Sequence, residues 1–339
     1  MLTNASLRYH YHPAKGWIND PNGLCFFRGE YHFFYQHAPG HEYPWAEPMV
    51  WGHCRTKDFL HYEELPVAMR CDMPCDAGGV WSGTAAERDG RLFLFYASVD
   101  ADGRQTVSAA VSEDGIRFEK YSGNPVIREI PEDGSRDFRD PAVLLDPELG
   151  DFLVVASGDV KRGTGNLLLY RGDGRFFWKY AGVLYEYPGC RYCECPSFVR
   201  TEDGWMLSVS VVRQDGSHYF EVMEGAFDGR HFTPRVTSRF QKGPDEYAGQ
   251  IFHAPDGRNI LVSWIPGWEY QPREKCIGCL SIPLEVRREG DAITAYPVAE
   301  LRHLVGEGEV IVDGYIRESY PERGREVRIE LLRKPEARE

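Results

Sequence analysis

The chain has 339 residues, with 39 basic and 52 acidic side chains, so its formal net charge is −13. This acidic balance argues against nucleic acid or an anionic membrane as the main partner, because binding to phosphates needs a basic face. A hydrophobic content of 42% with 13% aromatic residues is enough for a large core. No apolar run approaches the roughly 18 residues of a membrane-spanning helix.

The first residues, MLTNASLRYHYHPAKGW, contain no apolar stretch of the kind that secretory signal peptides carry. The nine cysteines are an odd number, which fits free thiols in a reducing compartment, so we expect a cytoplasmic protein. Two Cys-x-x-Cys pairs, Cys190/Cys193 and Cys276/Cys279, could share a zinc ion. They lie far apart in the chain, so we expect buried thiols instead, with no metal and no cofactor.

Five segments in chain order share one pattern, which is an apolar run, a turn with glycine and a second apolar run. Their turn glycines are Gly29, Gly90, Gly150, Gly204 and Gly257, at steps of 61, 60, 54 and 53 residues. Alternating aromatic and β-branched residues around such a turn predict a β-hairpin. The sequence therefore predicts five hairpins at nearly equal spacing.

A second signal recurs in phase with the first in four of the units. It is an aspartate followed closely by an aromatic residue, at Asp58, Asp114, Asp173 and Asp228, and it predicts the turn between a third and a fourth strand. The fifth unit would end in residues 280–298, with its turn near Gly290. Two unrelated β-sandwiches would not explain this spacing. We therefore predict an all-β fold, a five-bladed β-propeller of four-stranded antiparallel blades.

The repeat also predicts where acidic side chains meet. In a propeller, residues just before the first strand of each blade surround one mouth of the central channel. Asp20, Ser82, Asp140 and Glu194 lie 9, 8, 10 and 10 residues before their turn glycines. We therefore expect the carboxylates of Asp20, Asp140 and Glu194 to converge at this mouth.

Three carboxylates in one pocket suit either a Ca²⁺ or Mg²⁺ site or the transfer of a glycosyl group. The expected surroundings favour a sugar, because aromatic, amide and guanidinium groups match its C–H faces and hydroxyls. These surroundings are Trp17, Trp51, Trp81, Trp264, Trp268, Asn19, Gln36, Arg139 and Gln250. Two acids about 5 Å apart would favour a retaining double displacement, and like charges that close raise the pKa of one of them.

Several of these segments resemble the motifs of glycoside hydrolase family 32, the invertases and fructanases. Residues 17–23, WINDPNG, resemble the family's WMNDPNG signature, and residues 139–141 and 194–196 match its RDP and ECP motifs. Further similarities lie at residues 34–36, 51–53, 81–83, 245–250, 256–258 and 297–301. The resemblance covers roughly residues 9–304 in order.

The resemblance implies a role for each acid. Asp20 would be the nucleophile that attacks C2 of a fructosyl unit, and Glu194 would be the acid and then the base. Asp140 would hold fructose hydroxyls and stabilise the transition state together with Arg139. The expected substrate-binding residues are Asn19, Gln36, Trp51, Trp81, Ser82, Arg139, Asp245 and Tyr247.

Two departures from the family pattern carry further expectations. Family members usually continue into a β-sandwich, whereas we expect a propeller over residues 1–304 and a short extension over 305–339. Residues 326–331 of this extension would be a remnant strand without neighbours, which could pair with a second copy in a homodimer. The second departure is the small residues Cys193 and Gly249, which suggest a differently shaped leaving-group side.

These features predict a retaining β-fructofuranosidase that acts on sucrose or short fructo-oligosaccharides, with sucrose 6-phosphate as a further possible substrate. A fructosyltransferase or an inulin or levan hydrolase with the same site is the nearest alternative. A catalytically silent sugar-binding propeller is the alternative from another class of protein. The partner expected in each case is a small carbohydrate.

Overall fold

The computed structural model describes residues 6–41, 47–159, 161–173, 175–239, 245–265 and 276–332, and nearly all its regular structure is antiparallel sheet. Blade 1 contains β1 (Gly16–Phe27), β2 (Glu30–Ala38), β3 (Val50–Thr56) and β4 (Tyr62–Met69). Blade 2 contains β5 (Gly79–Arg88), β6 (Arg91–Val99), β7 (Gln105–Ser112) and β8 (Glu119–Lys120). Blade 3 contains β9 (Phe138–Asp146), β10 (Gly150–Asp159), β11 (Thr164–Gly172) and β12 (Trp178–Pro188). Blade 4 contains β13 (Cys190–Arg200), β14 (Trp205–Arg213), β15 (His218–Phe227) and β16 (Phe232–Ser238).

Blade 5 is less regular than the others and joins the two ends of the ring. It contains β17 (Tyr247–His253) and β18 (Asn259–Ile265), followed after two short strands by β21 (Leu284–Glu289) and β22 (Ala292–Pro297). The short strands are β19 (Cys276–Ile277), which pairs in parallel with the start of β1, and β20 (Cys279–Leu280), which pairs with β18. Short 3₁₀ helices of the described residues include those at Pro74–Asp76 and Ala299–Leu304.

The first strands of the five blades contact one another in a closed cycle: β1 with β5, β5 with β9, β9 with β13, β13 with β17, and β17 with β1. This cycle confirms the five-bladed propeller. Four of the predicted turn glycines fall between the first two strands of their blades, and Gly150 is the first residue of β10. The turn at Gly290 joins β21 to β22. Among the described residues, no helix is long and apolar enough to cross a membrane.

The recurring aspartates act as predicted, in the turns between third and fourth strands. Asp58, Asp114, Asp173 and Asp228 each accept hydrogen bonds from the backbone N–H groups two and three residues later. An aspartate side chain that accepts these bonds replaces the backbone pairing that the turn interrupts. This requirement explains why the same residue type returns in each of the four blades.

Apolar side chains between adjacent blades form the core. Phe34 and Trp51 of blade 1 pack with Tyr96 of blade 2, and Phe95 of blade 2 packs in one cluster with Phe138 of blade 3. A third cluster joins blades 3 and 4, and a fourth joins blades 4, 5 and 1. Because the sheets stack face to face, the ring closes by burial of apolar surface along every interface between blades.

Residues after the propeller form a sheet of their own. It consists of β23 (Val310–Asp313), β24 (Ile316–Ser319) and β25 (Arg328–Leu331), with a short helical turn α1 (Pro321–Gly324) before the last strand. The expectation of a strand without neighbours at residues 326–331 is wrong, because β25 pairs with β24 in antiparallel register. The domain boundary after residue 304 and a homodimer through residues 305–339 stay predictions.

This C-terminal sheet packs on blade 5 and on the segment that precedes β1. Its apolar side chains Ile311, Ile316 and Ile329 belong to the same buried cluster as Ile282 and Ile293 of the blade 5 region. Asp313 accepts hydrogen bonds from the backbone N–H groups of residues 8, 9 and 10, at 2.8, 2.8 and 3.1 Å. The sheet therefore fixes the chain just before it enters the first blade.

A buried histidine lies between two carboxylates at this junction, and we refer to the three side chains as the ion triad. His10 Nδ1 is 2.8 Å from Asp313 Oδ2, and His10 Nε2 is 2.8 Å from Glu318 Oε1. Burial alone lowers the pKa of His10, but the hydrogen bonds to Asp313 and Glu318 outweigh it and raise this pKa to about 9. His10 is therefore a cation at neutral pH.

The raised pKa of His10 predicts a pH-dependent stability. The stabilisation that it provides is complete below the unfolded-state value near 6.5 and is lost as the pH rises through about 9. A difference of that size corresponds to about 3 kcal/mol. We expect His10→Gln to lower the free energy of unfolding at pH 6, and the gap to the wild type to narrow steadily from pH 7 to pH 10 in denaturant titrations.

The exposed residue His303 provides the control, because His303→Gln should follow the wild-type curve at every pH. A gap between His10→Gln and the wild type that stays constant from pH 6 to pH 10 would contradict a charged His10.

Candidate active site

The first strand of every blade has a β-bulge near its beginning, and the five bulges surround one mouth of the channel. In each bulge two residues of the first strand face a single residue of the second strand. The bulged pairs are residues 19–20, 81–82, 140–141, 195–196 and 248–249, opposite residues 36, 97, 155, 209 and 263. A bulge redirects a side chain locally without ending the strand.

The three acids occupy different places relative to these bulges. Asp20 is the second residue of its bulge, Asp140 is the first residue of its bulge, and Glu194 comes directly before one. We expected the three acids at equivalent positions in their blades. In the structure, their positions relative to the bulge differ by one residue from one blade to the next. Asp140 and Cys195 have φ values of 53° and 46°, in the left-handed region that few non-glycine residues adopt.

The carboxylate of Asp20 lies in a polar, largely enclosed place. Ser82 donates its hydroxyl hydrogen to Asp20 Oδ2 at 2.8 Å, from the bulge of the neighbouring blade. Burial raises the pKa of Asp20, and side-chain hydrogen bonds from Asn19 and Ser82 partly offset this effect. The negative charge of Glu194 raises the pKa of Asp20 further, which shows that these two acids share one electrostatic environment.

Asp140 is the most enclosed of the three acids. Its Oδ2 accepts the backbone N–H of Cys195 at 2.8 Å. Burial raises the pKa of Asp140 to about 7; the Arg139 guanidinium opposes this shift, whereas the charges of Glu194 and Asp20 add to it. The charges of Glu194 and Asp20 both act on Asp140, so the three carboxyl groups lie close to one another.

Two donors from different blades hold the carboxylate of Glu194. Arg139 donates to Glu194 Oε1 through Nε at 3.2 Å and through Nη2 at 3.0 Å. Tyr247 donates its hydroxyl hydrogen to Glu194 Oε2 at 2.5 Å. Arg139 is fixed in turn by Asp137 and Gln105, which accept from its Nη1. Both carboxylate oxygens of Glu194 are therefore hydrogen-bonded, which fixes the orientation of this side chain.

The remaining predicted site residues divide into a polar set and an aromatic set. Asn19 is buried and accepts from Trp17 Nε1 at 2.8 Å, and Gln36 is buried and donates to the carbonyl of Val80 at 3.0 Å. Asp245 is half-buried at the start of blade 5. Trp17 and Trp264 pack edge to face with ring centroids 5.7 Å apart. Trp268 lies outside the described residues.

Trp81 is one of the bulge residues that surround the mouth of the channel, whereas Trp51 is buried beneath them. Trp51 has 0% exposure, packs between blades 1 and 2, and donates from Nε1 to the carbonyl of Trp81 at 2.9 Å. Trp81 is half-buried within the bulge of β5. Trp51 therefore supports the backbone of the bulge that carries Trp81 and Ser82.

The small residues Cys193 and Gly249 lie where adjacent blades pack closely, and their effect on the leaving-group side stays a prediction. Cys193 is buried in the cluster between blades 3 and 4, and a Cβ on Gly165 would lie 2.7 Å from its sulfur. A Cβ on Gly249 would lie 2.8 Å from the ring of Phe220. Both residues are small because of close packing between blades.

Sequence reasoning missed the thiol of Cys195. Its sulfur lies 3.5 Å from Asp140 Oδ2 and 3.7 Å from Asp20 Oδ2, between two of the acids. Burial raises the pKa of this thiol well above its usual range, and the neighbouring carboxylates raise it further, so it stays a neutral donor. The one available signal was its place directly after Glu194. Within the described parts of the chain, no group of three or more histidine, cysteine or acidic side chains is arranged to hold a metal ion.

A cavity of about 1080 Å³ occupies the opposite end of the channel. Its wall comes from the later parts of the same first strands, including Phe26, Leu144 and Ile251. At the inner end of this cavity Gln250 donates to the carbonyl of Gly83, and Ser197 accepts the backbone N–H of Ile251. The acids therefore face the mouth on the bulge side, and the cavity is a separate space.

Comparison with known proteins agrees with this architecture. The model of the glycosyl hydrolases family 32 N-terminal domain matches residues 10–297. The chain therefore belongs to glycoside hydrolase family 32.

Individual relatives lie within the same family. The chain is 34% identical over 327 residues to a sucrose-6-phosphate hydrolase of Zymomonas mobilis, across 87% of this chain and 62% of that protein. It is 33% identical over 318 residues to a raffinose invertase of Escherichia coli, across 87% of this chain and 65% of that one. The structure of a sucrose-6-phosphate hydrolase from Lactobacillus gasseri superimposes with a TM-score of 0.85 at 20% identity, over 96% of this chain and 88% of that one. The chain thus spans less than two thirds of the length of these two curated relatives.

The contact between Ser82 and Asp20 predicts a shift in the pH profile of the reaction proposed below. The hydroxyl stabilises the ionised form of Asp20, so Ser82→Ala should raise the pKa of Asp20. We expect the acidic limb of the kcat/KM profile to move to higher pH, with about a tenfold loss of kcat/KM on its steep part. Fructose release measured from pH 3 to pH 9 tests this.

Ser208→Ala is the matched control, because the buried Ser208 hydroxyl has no hydrogen-bond partner among the described residues. Its profile should overlay that of the wild type. An acidic limb of Ser82→Ala that stays in place or moves to lower pH would contradict the contact.

Proposed function

We propose that this protein is a retaining β-fructofuranosidase that cleaves terminal β-D-fructofuranosyl units. The observation that carries the proposal is the convergence of Asp20, Asp140 and Glu194 at one mouth, with Arg139 bound to Glu194. Membership of glycoside hydrolase family 32 supports it, as does the similarity to a sucrose-6-phosphate hydrolase and a raffinose invertase. The substrate class is therefore a small carbohydrate with a fructosyl end.

In the first step, a carboxylate oxygen of Asp20 forms a bond to C2 of the fructosyl unit while the bond from C2 to the leaving oxygen breaks. Glu194 gives its proton to that oxygen, so the leaving sugar departs as a neutral alcohol. In the second step, Glu194 takes a proton from water, whose oxygen attacks C2 and displaces Asp20. Two inversions at C2 give net retention.

The contacts of Glu194 suit this change of role. Oε1 stays bound to Arg139, so the proton of the acid form belongs on Oε2, where the Tyr247 hydroxyl can accept it. In the ionised form the same hydroxyl donates to Oε2. Tyr247 thus serves both forms of Glu194 by rotation of one hydrogen, which is a different role from the direct substrate binding that the sequence suggested.

Asp140 stabilises the positive charge that develops on the fructosyl ring, and it holds ring hydroxyls without forming a bond. The thiol of Cys195 and a backbone N–H support this carboxylate and keep it in place. Asn19, Gln36, Ser82 and Trp81 would contact the fructosyl unit in this proposal. Half-buried Asp245, just before the first strand of blade 5, would contact the substrate.

A cytoplasmic location belongs to the same proposal. All nine cysteines are free, and seven of them are buried, which fits a compartment that keeps thiols reduced. Imported sucrose or sucrose 6-phosphate would then be the substrate that the protein meets.

Substitution of the two reacting acids tests the assigned roles. Asp20→Ala should lower kcat for sucrose by about a thousandfold or more, because no covalent intermediate can form. Glu194→Gln should lower it by about 10²–10⁴-fold on sucrose, but far less on an activated fructoside whose leaving group needs no proton. Fructose and glucose release, with both substrates, is the measurement.

Asp146→Asn is the control for these variants, since Asp146 is a buried acid of β9 bound to Arg200 at the other end of the channel. It should keep near wild-type kcat. If Asp20→Ala retained wild-type turnover, Asp20 would not be the nucleophile, and if the wild type bound sucrose without cleaving it, the protein would be a sugar-binding module.

A product profile distinguishes the members of this reaction class. We expect glucose and fructose in equal amounts from sucrose, with no growth of longer fructans at moderate sucrose concentration. Incubation with sucrose, sucrose 6-phosphate, 1-kestose, inulin and levan, followed by chromatography, measures this. Accumulation of trisaccharides would assign a fructosyltransferase instead.

A further inference from the structure

The C-terminal sheet is linked to the strand of the nucleophile through the N-terminal segment. Asp313 binds three successive backbone N–H groups of residues 8–10, and His10 binds both Asp313 and Glu318. Next, the carbonyl of Tyr11 accepts from Leu280, and the segment pairs in parallel with β19 at Gly16 and Trp17. Asp20 follows three residues later.

The same sheet is linked to the other side of the site through blade 5. Glu318 accepts the backbone N–H of Ile282 at 3.1 Å, next to Ser281. Ser281 and Ser263 are joined by two hydrogen bonds of 2.9 Å, one from each backbone N–H. Ser263 is the single residue that faces the bulge of β17, and Tyr247 directly precedes that bulge.

A third connection is electrostatic. Glu246, the neighbour of Tyr247, is buried and hydrogen-bonds to Ser263. Burial raises the pKa of Glu246, and the charge of Glu318 raises it further. Glu318 therefore influences the beginning of β17 through both hydrogen bonds and charge.

We infer that the ion triad of His10, Asp313 and Glu318 is a positioning device for the active site. This inference rests on the proposed function. The triad holds β1 with Asp20 on one side and β17 with Tyr247 on the other, so that the nucleophile and the contact of Tyr247 with Glu194 keep their relative position. The C-terminal sheet thereby helps to position the residues of the proposed active site.

The chemistry of the triad suits this role better than apolar packing would. Apolar contacts tolerate small displacements, whereas a buried imidazolium between two carboxylates has one low-energy arrangement. Removal of one charge leaves the others uncompensated, so the segments they hold shift or loosen. Displacement of a reacting group by about 1 Å can cost about 100-fold in rate.

Glu318→Gln, compared with Glu224→Gln, is the test. Glu224 is 1% exposed and binds Arg235 and Arg288, so it also ties blade 5 to its neighbour, but it lines the cavity at the opposite end of the channel. Both variants should lower Tm. Glu318→Gln should lower kcat for sucrose about tenfold or more with KM changed less than about threefold, whereas Glu224→Gln should keep kcat within about twofold.

Amide hydrogen exchange gives a readout that does not depend on turnover. Glu318→Gln should accelerate exchange in residues 16–22 and 246–251, and Glu224→Gln should leave these segments unchanged. Tyr320→Phe removes only the hydroxyl that donates to Glu318, so it provides a milder variant if Glu318→Gln does not fold. It should show the same changes at smaller size.

The outcomes separate the two proposals. Wild-type kcat and unchanged exchange in a folded Glu318→Gln protein, or equal losses in both glutamine variants, would overturn the positioning role. Absence of turnover in the wild type on every fructoside would overturn the proposed function, while accelerated exchange confined to Glu318→Gln would still support the structural link.

Discussion

In each blade the innermost strand carries two residues where its neighbour carries one, and the position of every acidic group at the mouth follows from this bulge. A regular strand would send successive side chains to opposite faces, and Glu194, Asp140 and Asp20 could not all face the axis from positions that differ by one residue. The bulges redirect them toward one point. The left-handed backbone at Asp140 and Cys195 belongs to the same distortion.

Bringing three carboxylates together is unfavourable, and the surrounding residues offset this repulsion. Arg139 supplies a buried positive charge that is shared between Glu194 and Asp137. Ser82 and a backbone N–H donate to Asp20 and Asp140, respectively. Each of the three carboxyl groups therefore has at least one hydrogen-bond donor that favours its charged form.

Closure of the ring involves more than the five blades. The start of β1 pairs with β19, and the segment before β1 is held against the C-terminal sheet by the ion triad and a shared apolar cluster. The segment that leads into the strand of Asp20 is thus fixed by a residue 303 positions away in the chain. Under the positioning role that we infer, stability and the geometry of the proposed active site depend on the same contacts at this junction.

The sequence alone determined the fold class and predicted Asp20, Asp140 and Glu194 as the acids of the site, because turn glycines, turn aspartates and the motifs around these acids are local signals. It also indicated where the strands of each blade join. Only the tertiary structure showed that Tyr247 donates to Glu194 and that the Cys195 thiol lies between two acids. It also showed that Trp51 is buried beneath Trp81 and that residues 328–331 pair within a sheet. These features depend on contacts between blades and on the exact residue at which each bulge occurs. Neither produces a periodic pattern in the amino-acid sequence.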